Sequence, residues 1–135
     1  TLVYRKSVAL HALKRYEEAI TAYEQAIKLN YSYALAYHGK GLALADLKRY
    51  EEAITAYEQA IKLNPSDRTA HYNKGLALHA LKRYEEAIAA YDQAIKLDPS
   101  YALAYHNKGL TLDRLNRREE ARRCYERAKQ LGWSR

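Results

Sequence analysis

The chain has no phenylalanine, no methionine, one cysteine, two prolines and five glycines in 135 residues. A lone Cys124 forms no internal disulfide, so an oxidising compartment is not required, and a cytoplasmic location is expected. So few glycines and prolines exclude an all-β chain dense in tight turns. No apolar run approaches the ~18 residues that a membrane-spanning helix needs. No signal or transit segment opens the sequence, and a start at Thr1 instead of Met is expected of a fragment or of a processed chain. No glycine-rich phosphate loop and no dinucleotide-binding signature is present.

What the chain does have is 14 tyrosines, 48% hydrophobic residues and 29% charged residues, the balance of a globular protein of one domain spanning 1–135. The net charge of +7 is local. From Leu112 to Arg135 eight Lys/Arg stand against four Asp/Glu, which puts +4 in that segment and leaves +3 for the rest. A uniformly basic surface would point to nucleic acid more strongly.

Internal repetition dominates the sequence. YEEAITAYEQAIKLN begins at Tyr16 and at Tyr50, YEEAIAAYDQAIKLD at Tyr84, and a degraded REEARRCYERAKQLG at Arg118, each offset by 34. The segments before them repeat in the same register: AYHGKGLALADLKR from Ala36, AHYNKGLALHALKR from Ala70 and AYHNKGLTLDRLNR from Ala104. Each copy reads as two helices, in the second copy about Ala34–Leu47 and Tyr50–Leu63. Pro65 ends the second helix, and Ser66 or Asp67 can cap the next. Glu51 and Glu52 in the first turn and Lys62 in the last suit the helix dipole.

The period of 34, the aromatic Tyr37 with Gly41 four residues on, Ala53, Tyr57, Ala60 and Pro65 resemble the tetratricopeptide repeat. Gly75, Ala87, Tyr91, Ala94 and Pro99 carry the pattern again, as do Tyr105, Gly109, Ala121, Tyr125 and Ala128. The resemblance implies an all-α fold: a right-handed α–α superhelix, or solenoid, of eight helices in repeats 1–33, 34–67, 68–101 and 102–135. Departures occur. Ser7 replaces the small Gly in the first copy and Tyr31 replaces Pro; Lys40, Lys74 and Lys108 precede the Gly; Lys14, Lys48 and Lys82 stand in the turn between helices, where only Asn116 suits a left-handed conformation. In the last helix Arg122 and Lys129 replace the isoleucines of earlier copies, which reads as a C-terminal cap, while the first repeat has none.

Function in such an array lies on positions that the fold does not consume. On the first helix of each repeat these are Tyr4, Val8 and His11; Leu35, His38, Leu42 and Ala45; Thr69, Tyr72, Leu76 and His79; and Leu103, His106, Leu110 and Asp113. The resemblance makes this face the concave groove, with Tyr33 and Tyr101 at its rim. An apolar row of Leu42, Leu76 and Leu110 beside Tyr4, His38, Tyr72 and His106 suits a peptide bearing hydrophobic side chains, with Asn73 and Asn107 as candidate hydrogen-bond donors to its backbone. The same leucines can be plain helix formers copied by repetition, and the asparagines plain solvated residues. The peptide-carboxylate clamp of some family members is absent, because its Lys and second Asn positions hold residues such as Tyr4, His38, Val8 and Leu42.

Five histidines (His11, His38, His71, His79, His106) include no pair at i, i+4, so no metal site is expected. Cys124 replaces a small alanine (Ala56, Ala90); Arg122, Arg123 and Arg127 near it would lower its pKa, but no motif makes it a nucleophile. The Glu pairs recur at helix starts as dipole-matching residues. The expectation is a non-enzymatic scaffold for another protein or peptide, without cofactor. Self-association through the uncapped first repeat is the alternative, and nucleic-acid binding by the Arg-rich last helix, with Trp133 as weak support, stands behind both.

Overall fold

A computed structural model describes residues 1–134; Arg135, counted above in the basic segment and in the fourth repeat, lies outside the described residues. Eight helices follow in order: α1 (Leu2–Ala12), α2 (Tyr16–Leu29), α3 (Ala34–Asp46), α4 (Tyr50–Leu63), α5 (Arg68–Ala80), α6 (Tyr84–Leu97), α7 (Ala102–Arg114) and α8 (Arg118–Gln130). No strand occurs among the described residues. The fold is an all-α repeat of successive helix pairs, and the chain divides into two compact units, Thr1–Pro65 and Ser66–Arg135, of two hairpins each.

Two of the four first helices are capped by a side chain. Thr1 caps α1 by accepting from the Tyr4 amide, and Asp67 caps α5 by accepting from the amides of Thr69 and Ala70. The second helices have no side-chain cap. Instead an arginine precedes each one, and its guanidinium grips the Glu of the first turn: Arg15 on Glu18, Arg49 on Glu52, Arg83 on Glu86 and Arg117 on Glu120, all at 2.6–2.7 Å at the shortest. These hydrogen bonds hold the four carboxyls below their ordinary range. Arg49 also reaches Glu17 of the hairpin before it, at 3.1 Å, and Arg117 reaches Glu85 at 3.0 Å.

The turns inside the hairpins differ from expectation. All four take a left-handed residue: Lys14, Lys48 and Lys82 as well as Asn116 have φ of +60° to +62°. Each is the residue after a C-cap leucine. Its amide bonds the carbonyl three residues back, and the following arginine amide bonds the carbonyl five back, as in Arg49 to Leu44 at 2.9 Å. Two orphan carbonyls are thereby satisfied, and this outweighs the ~1–2 kcal/mol that a side chain costs in this conformation.

Inside each unit the core is small residues against tyrosine. A Cβ on Gly41, Gly75 or Gly109 would sit 2.5–2.6 Å from a ring carbon of Tyr57, Tyr91 or Tyr125, so glycine is what lets the ring lie against the helix. Tyr57 and Tyr91 are fully buried, and so are Leu44, Leu78 and Leu112. Ser7, at the glycine position of the first repeat, is also fully buried, its hydroxyl donating to the Val3 carbonyl at 2.8 Å.

Candidate functional site

In each unit the face left over by this packing is lined by that unit's own first helices, α1 and α3 or α5 and α7. Val8, Leu42, Leu76 and Leu110 are 43, 38, 37 and 42% exposed, whereas Leu44, Leu78 and Leu112 two residues further on are closed in. Helical geometry explains the contrast: a step of two residues turns about 200° around the helix axis and so moves a side chain to the opposite face.

Beside each exposed aliphatic stands a ring that the second helix supports. Tyr4 packs on Tyr23 (6.1 Å between centroids), His38 on Tyr57 (5.8 Å), Tyr72 on Tyr91 (5.9 Å) and His106 on Tyr125 (5.6 Å). Three of these rings have a second aromatic partner: Tyr33 on Tyr4, Tyr101 on Tyr72 and Trp133 on His106, at 5.0, 5.2 and 4.6 Å. Tyr33 and Tyr101 thus stand beside Tyr4 and Tyr72 of their own units. Burial pushes the hydroxyls of Tyr23 and Tyr72 up to about 12.

Asn107 is engaged: its amide donates to the Tyr72 hydroxyl and to the Leu103 carbonyl, both at 3.0 Å. It fixes Tyr72 in place. Asn73 is half-buried on the preceding first helix of the same unit. One row along, His79 and the buried Thr111 hydroxyl are 2.7 Å apart. Because that hydroxyl donates to the Asn107 carbonyl at 3.0 Å, it accepts from His79 Nδ1–H. Burial, and then the charge of Arg114, push the His79 imidazole below its ordinary value.

Two cavities open on these faces. In the first unit one of about 430 Å³ lies among Tyr4, Val8, His11, Tyr23, His38 and Leu42. In the second unit one of about 530 Å³ is formed by His106, Leu110, Tyr125, Lys129, Trp133 and Ser134. The second was not legible as a site from the repeat pattern, because Trp133 takes the place that Tyr31, Pro65 and Pro99 hold in the other copies. It is placed by Gly132 at φ +97°, which turns the chain after α8 so that the Trp133 amide bonds the Ala128 carbonyl at 2.9 Å. Glycine followed by a large ring just past a helix end is the signal that would have found it. The indole Nε1 is buried without a hydrogen-bond partner among the described residues.

Other candidates take ordinary roles. Cys124 is buried, and burial pushes its thiol up in spite of the arginines around it. Arg122 bridges Glu119 and Glu126 at 2.9 and 2.7 Å. Arg117, just before the last helix, is paired as well. No three His, Cys, Asp or Glu side chains among the described residues are grouped to hold a metal ion.

The tetratricopeptide repeat family model matches residues 4–61 and 49–102, and a second model of the same description matches residues 90–130. No curated protein matches. Among solved structures, MamA superposes with a TM-score of 0.92 at 26% identity over 96% of this chain and 75% of that one. MamA 41-end from Desulfovibrio magneticus RS-1 gives 0.90 at 27% identity, over 96% and 73%. The first tetratricopeptide domain of Spaghetti (RPAP3), solved with the HSP90 peptide SRMEEVD, gives 0.83 at 23% identity, over 85% and 91%, a likeness of fold.

Proposed function

Because the chain belongs to the tetratricopeptide repeat family, we propose that it is a protein-interaction scaffold whose leucine-and-ring face holds a peptide through apolar side chains. The observation that carries this reading is the exposure of Leu42 in one unit and of Leu76 and Leu110 in the other, each beside an aromatic ring already fixed by neighbours. Rings that are packed in place before a ligand arrives lose little freedom on binding, so more of the contact energy remains as affinity. The HSP90 peptide seen on the Spaghetti domain ends in acidic residues. Here the positions that would grip such a tail hold Tyr4, Val8, His38 and Leu42, so a ligand with two or more hydrophobic anchors is the better match.

The test uses a displayed peptide library selected on the intact chain, followed by titration of the selected peptides against Trp133 fluorescence. Selected sequences are expected to share hydrophobic anchors. Leu76→Glu with Leu110→Glu is expected to weaken binding by at least tenfold, since buried apolar anchors are worth ~1.4 kcal/mol or more. The thermal midpoint should move by less than about 4 °C. A collapsed melt would make these leucines structural and remove the proposal.

A further inference from the structure

The cavity of the first unit, about 430 Å³, is walled by rings and aliphatic carbon and lies between α1 and α3. Tyr4, Tyr23, His11 and His38 line it, with Val8 and Leu42 beside them. Each ring is held by a neighbour. Tyr4 and Tyr23 meet at an interplanar angle of 58°, His11 stands edge-on to Tyr16 at 89°, and His38 edge-on to Tyr57 at 89°.

A carboxylate adjoins this wall. Asp46, exposed at the end of α3, lies 2.7 Å from Nε2 of His11. A neutral imidazole donates that N–H to the carboxylate, and the pair then carries one net negative charge. No lysine or arginine lines the cavity among the described residues. The second unit repeats the rings, as Tyr72, His79, Tyr91 and His106, but reverses the charge: Arg114 holds the place of Asp46. It also has Asn107 in place of Gly39, and that amide bonds the Tyr72 hydroxyl. Gly39 brings no such polar group to Tyr4.

We propose that this cavity binds a methylated lysine side chain of the partner peptide. The inference rests on the reading of this face as a peptide groove, and it names the side chain that the first unit accepts. Aromatic rings attract a cation through the negative potential over their faces, and the gain rises where water is excluded. Asp46 supplies the countercharge. The wall also decides the form of the cation. An unmodified ammonium brings three N–H donors to ring and aliphatic carbon, which offer them few acceptors, whereas a trimethylammonium group brings none. Its apolar stem lies against Val8 and Leu42 as any hydrophobic anchor would.

The experiment titrates Nα-acetyl-Nε-trimethyllysine amide into the isotope-labelled intact chain at about pH 8, above the ordinary imidazole range, and follows backbone amide shifts by NMR. Saturable shifts at Gly39 and Leu42 are expected. The neutral isostere, with carbon in place of the ammonium nitrogen, should bind at least about fivefold more weakly, and so should the unmethylated lysine derivative. Tyr4→Phe should keep the preference for the cation and Tyr4→Leu should remove it. Asp46→Arg, which installs the residue of the second unit, should weaken the cation by about tenfold and leave the isostere unchanged. The Leu76→Glu, Leu110→Glu variant should bind the cation as the parent does. Circular dichroism of each variant checks that it folds. The proposal is overturned by absence of saturable shifts, by shifts confined to the second unit, by equal binding of cation and isostere, or by a preference indifferent to both Tyr4→Leu and Asp46→Arg. Equal binding would leave the groove apolar and overturn this inference alone, whereas a collapsed melt of the double leucine variant strikes the groove reading itself.

Discussion

The ring of Tyr23 fills the space that a side chain on Gly39 would need: a Cβ there would lie 2.5 Å from Cε1 and from Cζ. The tyrosines at the equivalent positions, Tyr57, Tyr91 and Tyr125, rest against a glycine of their own hairpin. Tyr23 has Ser7 at that place, and it leans on the next first helix instead. The positions equivalent to Gly39 are Asn73 and Asn107. Ser7 and Gly39 therefore form a matched pair around one ring.

Gly39→Asn is accordingly expected to destabilise the first unit by about 1–3 kcal/mol, the usual range for overpacking a tight interior. Ser7→Gly in the same chain should recover part of that loss by giving the ring its notch back. Urea unfolding of the two single variants and the double variant supplies the cycle. A double variant whose loss equals the sum of the single losses would show that the two positions do not share the ring.

Lys48 and Lys82 occupy left-handed turns at φ +62° and +61°. Replacing either with glycine removes the Cβ clash but loosens the unfolded chain. The net expectation is a gain of about 0.5–1 kcal/mol per turn. Asn116→Gly should gain less, because asparagine tolerates this conformation better. Thermal melts of the three variants rank the effects.

Gly132 has φ +97° with nothing within 4 Å of an added Cβ, so its role is conformational and not steric. Gly132→Ala should cost about 1 kcal/mol in that turn and release the segment behind it. Since Trp133 is the only tryptophan, its fluorescence reports the event directly. Emission should shift to the red and acrylamide quenching should increase, without loss of helical signal.

His79 binds its proton less readily in the folded chain than an ordinary imidazole. The unfolded chain then holds more protons around its pKa, so stability is full above that value and falls as the solution is acidified through it. The midpoint of thermal unfolding is expected to decline from about pH 7 to pH 5, above the range where carboxylates titrate. His79→Gln should flatten that decline. An equal slope in parent and variant would place the dependence elsewhere.

The helix boundaries, the hairpin order and the buried Ala and Tyr positions followed from the 34-residue register, since each position meets the same neighbours in every copy. The helix expected over Ala34–Leu47 runs Ala34–Asp46, with Leu47 as its C-cap. Features that depend on one residue's own contacts were not legible. Lys48 looks wrong for a left-handed turn, because residue type alone does not show the two satisfied carbonyls, those of Ala45 and Leu44, that hold the turn. Asn107 reads as a solvated residue until its bond to Tyr72 is seen. Trp133 reads as tail sequence until Gly132 turns it onto His106.

The arginine that links Glu119 to Glu126 on α8 has a consequence for assembly. At Arg122 and Lys129 the other second helices carry isoleucines, the residues on which a further hairpin would settle. To be covered in the same way, this surface would have to strip water from two cations and break an intact carboxylate bridge. Covering α8 therefore costs hydration that covering the isoleucines of α2, α4 or α6 does not.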